Sequence, residues 1–128
     1  MLLFRAMKGT VEGLPEIGSS TRTLGVRPGI DVPVLHAKDM LRPAQGGMSV
    51  SPSDPFNLPY FRRPPEFGGT GRDSIWHIND YDLGPELNYR PDPSNPHTHG
   101  FVEPLHPMTL VDYQNALVST QGLWQKSL

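Results

Sequence analysis

Apolar and polar residues alternate in four stretches of the chain, and a period of two is typical of half-buried β-strands. The clearest stretch is SIWHIN at residues 74–79, where Trp76 and Ile78 alternate with His77 and Asn79. We expect this strand to lie inside a sheet. The same pattern predicts strands at residues 2–6, 48–51 and 100–103.

Near the carboxyl end the period changes to that of an amphipathic helix. Thr109 is a favourable N-cap residue with Asp112 three positions later, and Gly122 is expected to loosen or end the helix. The apolar side chains recur at helical spacing and predict a stripe that packs on the sheet. That stripe consists of Leu110, Tyr113, Leu117 and Trp124.

Other segments have weaker patterns. Residues 24–26 are apolar enough for a short strand, and residues 32–41 have apolar side chains near helical spacing, which predicts one helical turn. Residues 9–23 and 88–96 are polar and contain several turn-forming residues, so both are predicted to be long loops.

Composition favours many loops around this framework. The chain has 128 residues, including 15 prolines and 13 glycines. That length suits one domain, which we place at residues 1–128. The proline and glycine content predicts short strands and few helices.

Charge and residue usage exclude several classes of protein. The net charge of −2 gives no general attraction to nucleic acid or to anionic membranes, and the absence of cysteine excludes disulfide and thiolate chemistry. The apolar run before Arg5 is too short for a signal peptide, and no stretch resembles a membrane span. We therefore expect a soluble protein that is cytoplasmic in the cell that makes it.

The stretch AQGGMSVSPSD, residues 44–54, has the composition of a binding site. Gly46 and Gly47 allow a ligand to approach the main chain closely. Strand alternation then directs one pair of side chains to the core and the other to a cavity or to solvent: Met48 with Val50, and Ser49 with Ser51. A plain strand whose serines face water fits the same residues.

Two charged residues on predicted strands are candidates for chemistry. Arg5 could direct its planar guanidinium into a cleft, where it would match a phosphate or carboxylate, or it could lie at an edge with its charge in water. Glu103 lies at the end of a strand just before Pro104. It could be a partly buried acid-base or charge-stabilising carboxylate, or a solvated one.

Two further groups of residues are weaker candidates. His97 and His99 share a strand face and could bind zinc together with His106. Residues 56–63 combine aromatic side chains with Arg62 and Arg63, which could stack on a nucleotide and neutralise its phosphates. In the alternative, the aromatic rings pack on the core and the arginines are solvated.

Several of these segments together resemble a known family. Residues 3–6 (LFRA), 46–50 (GGMSV) and 101–124 are similar to the small cytotoxic effectors of type VI secretion that carry an ADP-ribosyltransferase-like fold. Members of that family have Thr-Ser after the two glycines, whereas this chain has Met48-Ser49. Only Ser49 therefore carries over, and one hydroxyl group of the family site is missing.

The resemblance implies an α+β fold with two small, mostly antiparallel sheets around a cleft that holds NAD. In that family site Arg5 would grip the phosphates of NAD with two hydrogen bonds. Gly46 and Gly47 would approach the nicotinamide amide, and Ser49 would position the ribose. Glu103 would stabilise the positive charge that develops at the ribose C1′ atom as nicotinamide leaves.

The resemblance also implies a toxin that uses NAD to modify a target inside a competing or host cell, and a cognate immunity protein in the producing cell. Two alternatives stay open. The protein could bind a target without catalysis, through the cleft or through residues 56–63. It could also be a metal-dependent hydrolase that uses the three histidines.

Overall fold

The computed structural model describes residues 1–127, in which eight strands and one α-helix are present. The helix is α1, Leu110–Val118. The strands are β1 Leu2–Met7, β2 Met40–Leu41, β3 Met48–Pro52, β4 Ser74–Asn79, β5 Leu87–Pro91, β6 Gly100–Pro104, β7 Met108–Thr109 and β8 Gln125–Lys126.

The strands form two sheets of unequal size. Six strands pair in the order β5-β6-β3-β1-β4-β8, and β2 pairs with β7 in a separate sheet. Every pairing between named strands is antiparallel. The predicted fold class is confirmed, because the structure combines mostly antiparallel sheets with one helix near the carboxyl end.

Strand β3 joins two halves of the large sheet. Its amino-terminal part pairs with β6, and its last two residues pair with β1 as Phe4 opposite Ser51 and Leu3 opposite Pro52. Beyond Phe4 the two strands no longer pair, although β1 continues alongside β4 as far as Met7. The sheet therefore opens between β1 and β3, at the position where the side chain of Arg5 projects from β1.

The core lies between the large sheet and α1. Met48 and Val50 are each 1 % exposed, which confirms that these two residues of β3 face the core. Tyr113 of α1 donates a hydrogen bond to the carbonyl of Val102 and accepts one from the amide of Met48 at 3.0 Å. This buried hydroxyl therefore ties the helix to both β3 and β6.

The helix begins as predicted but is shorter. Thr109 is the N-cap and accepts a hydrogen bond from the amide of Asp112 at 3.2 Å. The helix ends at Val118, so Trp124 lies beyond it, buried after a short 3-10 turn that contains Gly122. The apolar stripe was predicted correctly, but its last member reaches the core from a turn.

Three weaker predictions are wrong. Residues 32–41 form turns and end in β2, without a helical turn, because β2 pairs with β7. Residues 88–96 are not all loop, since β5 covers Leu87–Pro91. Proline is tolerated there because β5 is an edge strand. Residues 24–26 form no strand and contribute one isolated bridge, between Leu24 and Ile17.

Across residues 1–127, none of the helices has the length and apolar character needed to cross a membrane.

Candidate active site

A cleft of about 430 Å³ opens where β1 and β3 separate. Apolar side chains, among them Leu58 and Phe61, form part of its wall. The polar and charged residues that line it come from β1, β3 and three loops: Arg5, Thr21, Arg27, Asp31, Ser49, Ser51, Arg62 and His99. Arg5 and Ser49, two of the residues proposed from the sequence, therefore line the same hollow.

Arg5 is buried and is held by main-chain carbonyl groups. Its Nη1 donates to Ser49 at 2.8 Å, and its Nε donates to Thr23 at 3.1 Å. Its Nη2 donates to Thr23 at 2.9 Å and to Ser20 at 3.2 Å. The guanidinium therefore bridges the gap between β1 and β3 and fixes the loop at residues 20–23 against both strands.

These contacts change the predicted role of Arg5. A guanidinium has five N–H groups, and four hydrogen bonds leave one N–H, on Nη1, for a ligand. A bidentate grip on a phosphate is therefore not available in this arrangement. Burial, together with the nearby charge of Arg62, lowers the pKa of Arg5 to about 10. Arg5 still carries its charge at neutral pH.

The charges around the cleft favour an anion. Arg27 and Asp31 form an ion pair at 2.9 Å and largely compensate each other. Arg62 donates hydrogen bonds to the carbonyls of Ala6 and Thr21, and burial lowers its pKa. Its nearest carboxylate, Asp73, lies 3.9 Å away and is already paired with Arg22. Arg5 has only carbonyl partners, so positive charge predominates in the hollow.

The two serines of β3 supply free hydroxyl groups. Ser49 and Ser51 both line the cleft, and no hydrogen bond to either side-chain oxygen is present within residues 1–127, although Ser51 is only 2 % exposed. The alternation in the sequence placed both on this face correctly. Met48, which stands where family members have Thr, lies in the core. Ser51, two residues along the strand, lines the same cleft as Ser49.

The paired glycines pack against other main-chain segments. A Cβ atom on Gly46 would collide with the carbonyl oxygen of Asp31, and one on Gly47 would lie 2.5 Å from that of Val102. The amide of Gly47 already donates to Asp31 at 3.1 Å. Neither glycine is among the residues that line the cleft. Their small size therefore serves packing, and contact with nicotinamide stays a prediction.

Glu103 is 3 % exposed and lies outside the lining of the cleft. Its Oε2 accepts hydrogen bonds from Arg90 Nε at 2.9 Å and from the amide of Ala44 at 2.8 Å. The carboxylate thereby anchors the segment that leads into the paired glycines. The structure does not bring Glu103 together with Arg5 and Ser49, and a catalytic role for it stays a prediction.

The histidines have separate surroundings. His99 lines the cleft, and its Nδ1 donates to Asp92 Oδ2 at 2.8 Å. His106 is exposed and forms an ion pair with Glu86 at 3.3 Å. No group of three or more His, Cys, Asp or Glu side chains within residues 1–127 could hold a metal ion. The proposed zinc site at the three histidines is therefore wrong.

The aromatic residues at positions 56–63 are exposed, and one of them reaches the cleft. Phe56, Tyr60 and Phe61 are each more than half exposed, and Phe61 also lines the cleft. Arg63 donates hydrogen bonds to carbonyls of its own loop, and Arg62 is bound as described above. The alternative with buried rings and solvated arginines is therefore wrong, because these rings face solvent and both arginines are bound.

Sequence reasoning did not assign Arg27 to the site, because it reaches the cleft from a loop without a local pattern. Arg62 was considered only as part of the aromatic and basic segment at residues 56–63, and Ser51 only as a strand serine that faces a cavity or solvent. His99 was considered only as a metal ligand, and no local pattern indicated that it faces this cleft.

No curated protein and no solved structure matches the chain. A family model described as the Tse2 ADP-ribosyltransferase toxin matches residues 2–124, which include β1, β3, β6 and α1. The antiparallel sheets and the single helix agree with that match. The chain therefore belongs to the Tse2 ADP-ribosyltransferase toxin family.

Proposed function

We propose that the cleft binds NAD and that the protein transfers the ADP-ribose group of NAD to an acceptor inside the cell it enters. One observation carries this proposal. The opening between β1 and β3 holds a buried arginine, Arg5, next to the free hydroxyl groups of Ser49 and Ser51. A hollow with excess positive charge and two free hydroxyl groups suits a dinucleotide with a pyrophosphate and two riboses.

Each part of the site has a proposed task. The charges of Arg5 and Arg62 attract the pyrophosphate, and the one free N–H of Arg5 donates to a phosphate or amide oxygen. Ser49 and Ser51 donate to the ribose or to the nicotinamide amide. The chemistry is cleavage of the bond between the ribose C1′ and nicotinamide, with positive charge developing at C1′.

Glu103 keeps its proposed role as the group that stabilises this charge. Because its carboxylate is bound to Arg90 and to the amide of Ala44, it would have to act over a distance or after a rearrangement. Glu103→Gln tests this role, since the amide keeps the shape and removes the charge. A rate equal to that of the unchanged protein would exclude it.

Binding of NAD is tested by thermal unfolding. A ligand that binds only the folded state stabilises it by about 2.7 kcal/mol at a concentration of 100 Kd. We expect NAD to raise the melting temperature of the purified protein and Ser49→Ala and Ser51→Ala to reduce that rise. Ser74→Ala is the matched control, because Ser74 is an exposed strand serine that does not line the cleft. An unchanged melting temperature with NAD would overturn the proposal.

Catalysis is tested by measuring the nicotinamide released from NAD and by toxicity on expression in bacteria. We expect Ser49→Ala to reduce both and Ser74→Ala to reduce neither. Binding without any release would favour the second candidate function, a toxin that occupies a target without catalysis. The exposed rings of Phe56, Tyr60 and Phe61 support that candidate, because exposed aromatic clusters are typical of interaction surfaces.

A cognate immunity protein and delivery by type VI secretion complete the proposal. Phe61 is both exposed and part of the cleft wall, so a protein that docks on the aromatic rings also covers the site. Phe61→Ser should weaken a complex with the product of the neighbouring gene. Absence of any complex between the two purified proteins would contradict this partner.

A further inference from the structure

The loop between β5 and β6 places a hydrogen-bonded pair of side chains, His99 and Asp92, at the edge of the cleft. Pro91 and Gly100 are the last paired residues of the two strands, and the amide of Asp92 donates to the carbonyl of His99 at 3.0 Å directly beyond them. The hairpin register therefore sets the two side chains opposite each other. His99 Nδ1 lies 2.8 Å from Asp92 Oδ2.

The chemistry of the pair fixes the form of the imidazole ring. A carboxylate only accepts hydrogen bonds, so Nδ1 of His99 carries a proton, and in the neutral form of the ring the lone pair lies on Nε2. The hydrogen bond from His99 holds the pKa of Asp92 below its ordinary value, so Asp92 is ionised at neutral pH. Within residues 1–127, Nε2 of His99 has no hydrogen-bond partner.

The ring is also held from a second side. Phe101, two residues along β6, contacts His99 edge to face with 4.9 Å between the ring centres. The guanidinium of Arg90 lies over Phe101 at 4.9 Å. His99 is therefore oriented by a carboxylate and by an aromatic ring while it lines the same cleft as Ser49 and Ser51.

We infer that His99 is the general base of the reaction and that Asp92 is its positioning residue. This inference rests on the proposed function. As the bond from C1′ to the nicotinamide nitrogen breaks, its electron pair leaves with nicotinamide, which becomes neutral. The oxygen of a hydroxyl acceptor or water bonds to C1′ and gives its proton to Nε2 of His99. Asp92 stabilises the imidazolium, which later releases the proton to solvent.

The inference names the class of acceptor. A base is needed only where the attacking atom carries a proton that it must lose, so the acceptor is a neutral nucleophile such as an alcohol or water. An anionic nucleophile has no proton to give up. The requirement for His99 should therefore disappear when such a nucleophile replaces water.

The experiment uses the full chain, NAD and sodium azide. With water as acceptor, we expect His99→Gln to release nicotinamide about 100-fold more slowly than the unchanged protein, the usual size of general-base effects. Azide should restore most of that rate and yield ADP-ribosyl azide, detected by mass spectrometry. Asp92→Asn should show a smaller loss that azide also restores. His106→Gln, an exposed histidine outside the cleft, should match the unchanged protein.

Each other result counts against the inference in a distinct way. A full rate for His99→Gln in water overturns it and leaves the proposed function standing. A slow His99→Gln that azide does not restore, with NAD affinity unchanged, also overturns it. If the unchanged protein releases no nicotinamide, the proposed function fails and the inference falls with it.

Discussion

Arg5 combines a structural and an electrostatic role in one guanidinium. Its hydrogen bonds join Ser49, Thr23 and Ser20 across the opening in the sheet, while its charge faces the cleft. A lysine keeps the charge but has one donor atom, which cannot reach the carbonyl groups of three residues at once. Loss of toxicity in Arg5→Ala would therefore reflect the fold as much as the chemistry.

This gives a prediction about a single residue. Arg5→Lys should lower the free energy of unfolding by about 3 kcal/mol, because buried carbonyl groups lose their partners. Urea denaturation measures the change. Arg42→Lys is the matched control, since Arg42 is exposed and its side chain has no ion pair within residues 1–127. Equal stability of Arg5→Lys and the unchanged protein would show that the carbonyl contacts contribute little.

Among the structural elements, α1 depends on its first hydrogen bond. Thr109→Ala removes the side-chain oxygen that accepts from the amide of Asp112, and loss of such a cap typically costs about 1 kcal/mol. Chemical denaturation should show that loss, with nicotinamide release unchanged below the transition. Thr109→Ser keeps the oxygen and should stay close to the unchanged protein. A similar loss in the serine variant would assign the effect to packing.

Strands β3 and β6 can approach each other closely because Gly47 has no side chain. Gly47→Ala would place a Cβ atom 2.5 Å from the carbonyl oxygen of Val102, so the strands must separate. We expect a loss of about 1–3 kcal/mol in unfolding free energy. Gly122→Ala is the control, because a Cβ atom there meets nothing within 4 Å. Identical effects of the two substitutions would contradict close packing at Gly47.

The elements that could be predicted from the sequence are those that bury a face of apolar side chains. Strands β1, β3, β4 and β6 and helix α1 each carry buried apolar residues at the spacing of a strand or a helix, and that spacing is visible in the sequence. The edge strand β5 lacks it and ends in a proline, and β2, β7 and β8 have two residues each. The site followed the same rule. Ser49 was found by alternation, whereas its contact with Arg5 and the pair of His99 with Asp92 depend on strand register.

At the scale of the whole molecule, stability should fall in acid. Two hydrogen bonds of 2.7 Å from Arg22 hold the pKa of Asp73 below its ordinary value, and His99 does the same for Asp92. The folded pKa values lie below the unfolded ones, so the unfolded chain takes up protons first as pH decreases. The stabilisation is complete above about pH 4 and is lost as pH falls through the folded pKa values.

Urea midpoints measured between pH 7 and pH 2.5 check this prediction. Asp73→Asn should be less stable at pH 7 and should lose less of its remaining stability in acid. Asp54→Asn is a suitable control, because Asp54 is exposed and has no ion pair within residues 1–127. Parallel pH curves for Asp73→Asn and the unchanged protein would show that the pair of Arg22 and Asp73 does not carry the acid response.

The carbonyl contacts of Arg5 also restrict how this toxin can evolve into a harmless protein. Loss of Arg5 would release the loop at residues 20–23 from β1 and β3, so a variant without this arginine should be unstable as well as inactive. Variants that are inactive but still folded should instead arise by substitution of Ser49 and Ser51, whose hydroxyl groups line the cleft. Such variants would keep the fold of the toxin while lacking these two hydroxyl groups.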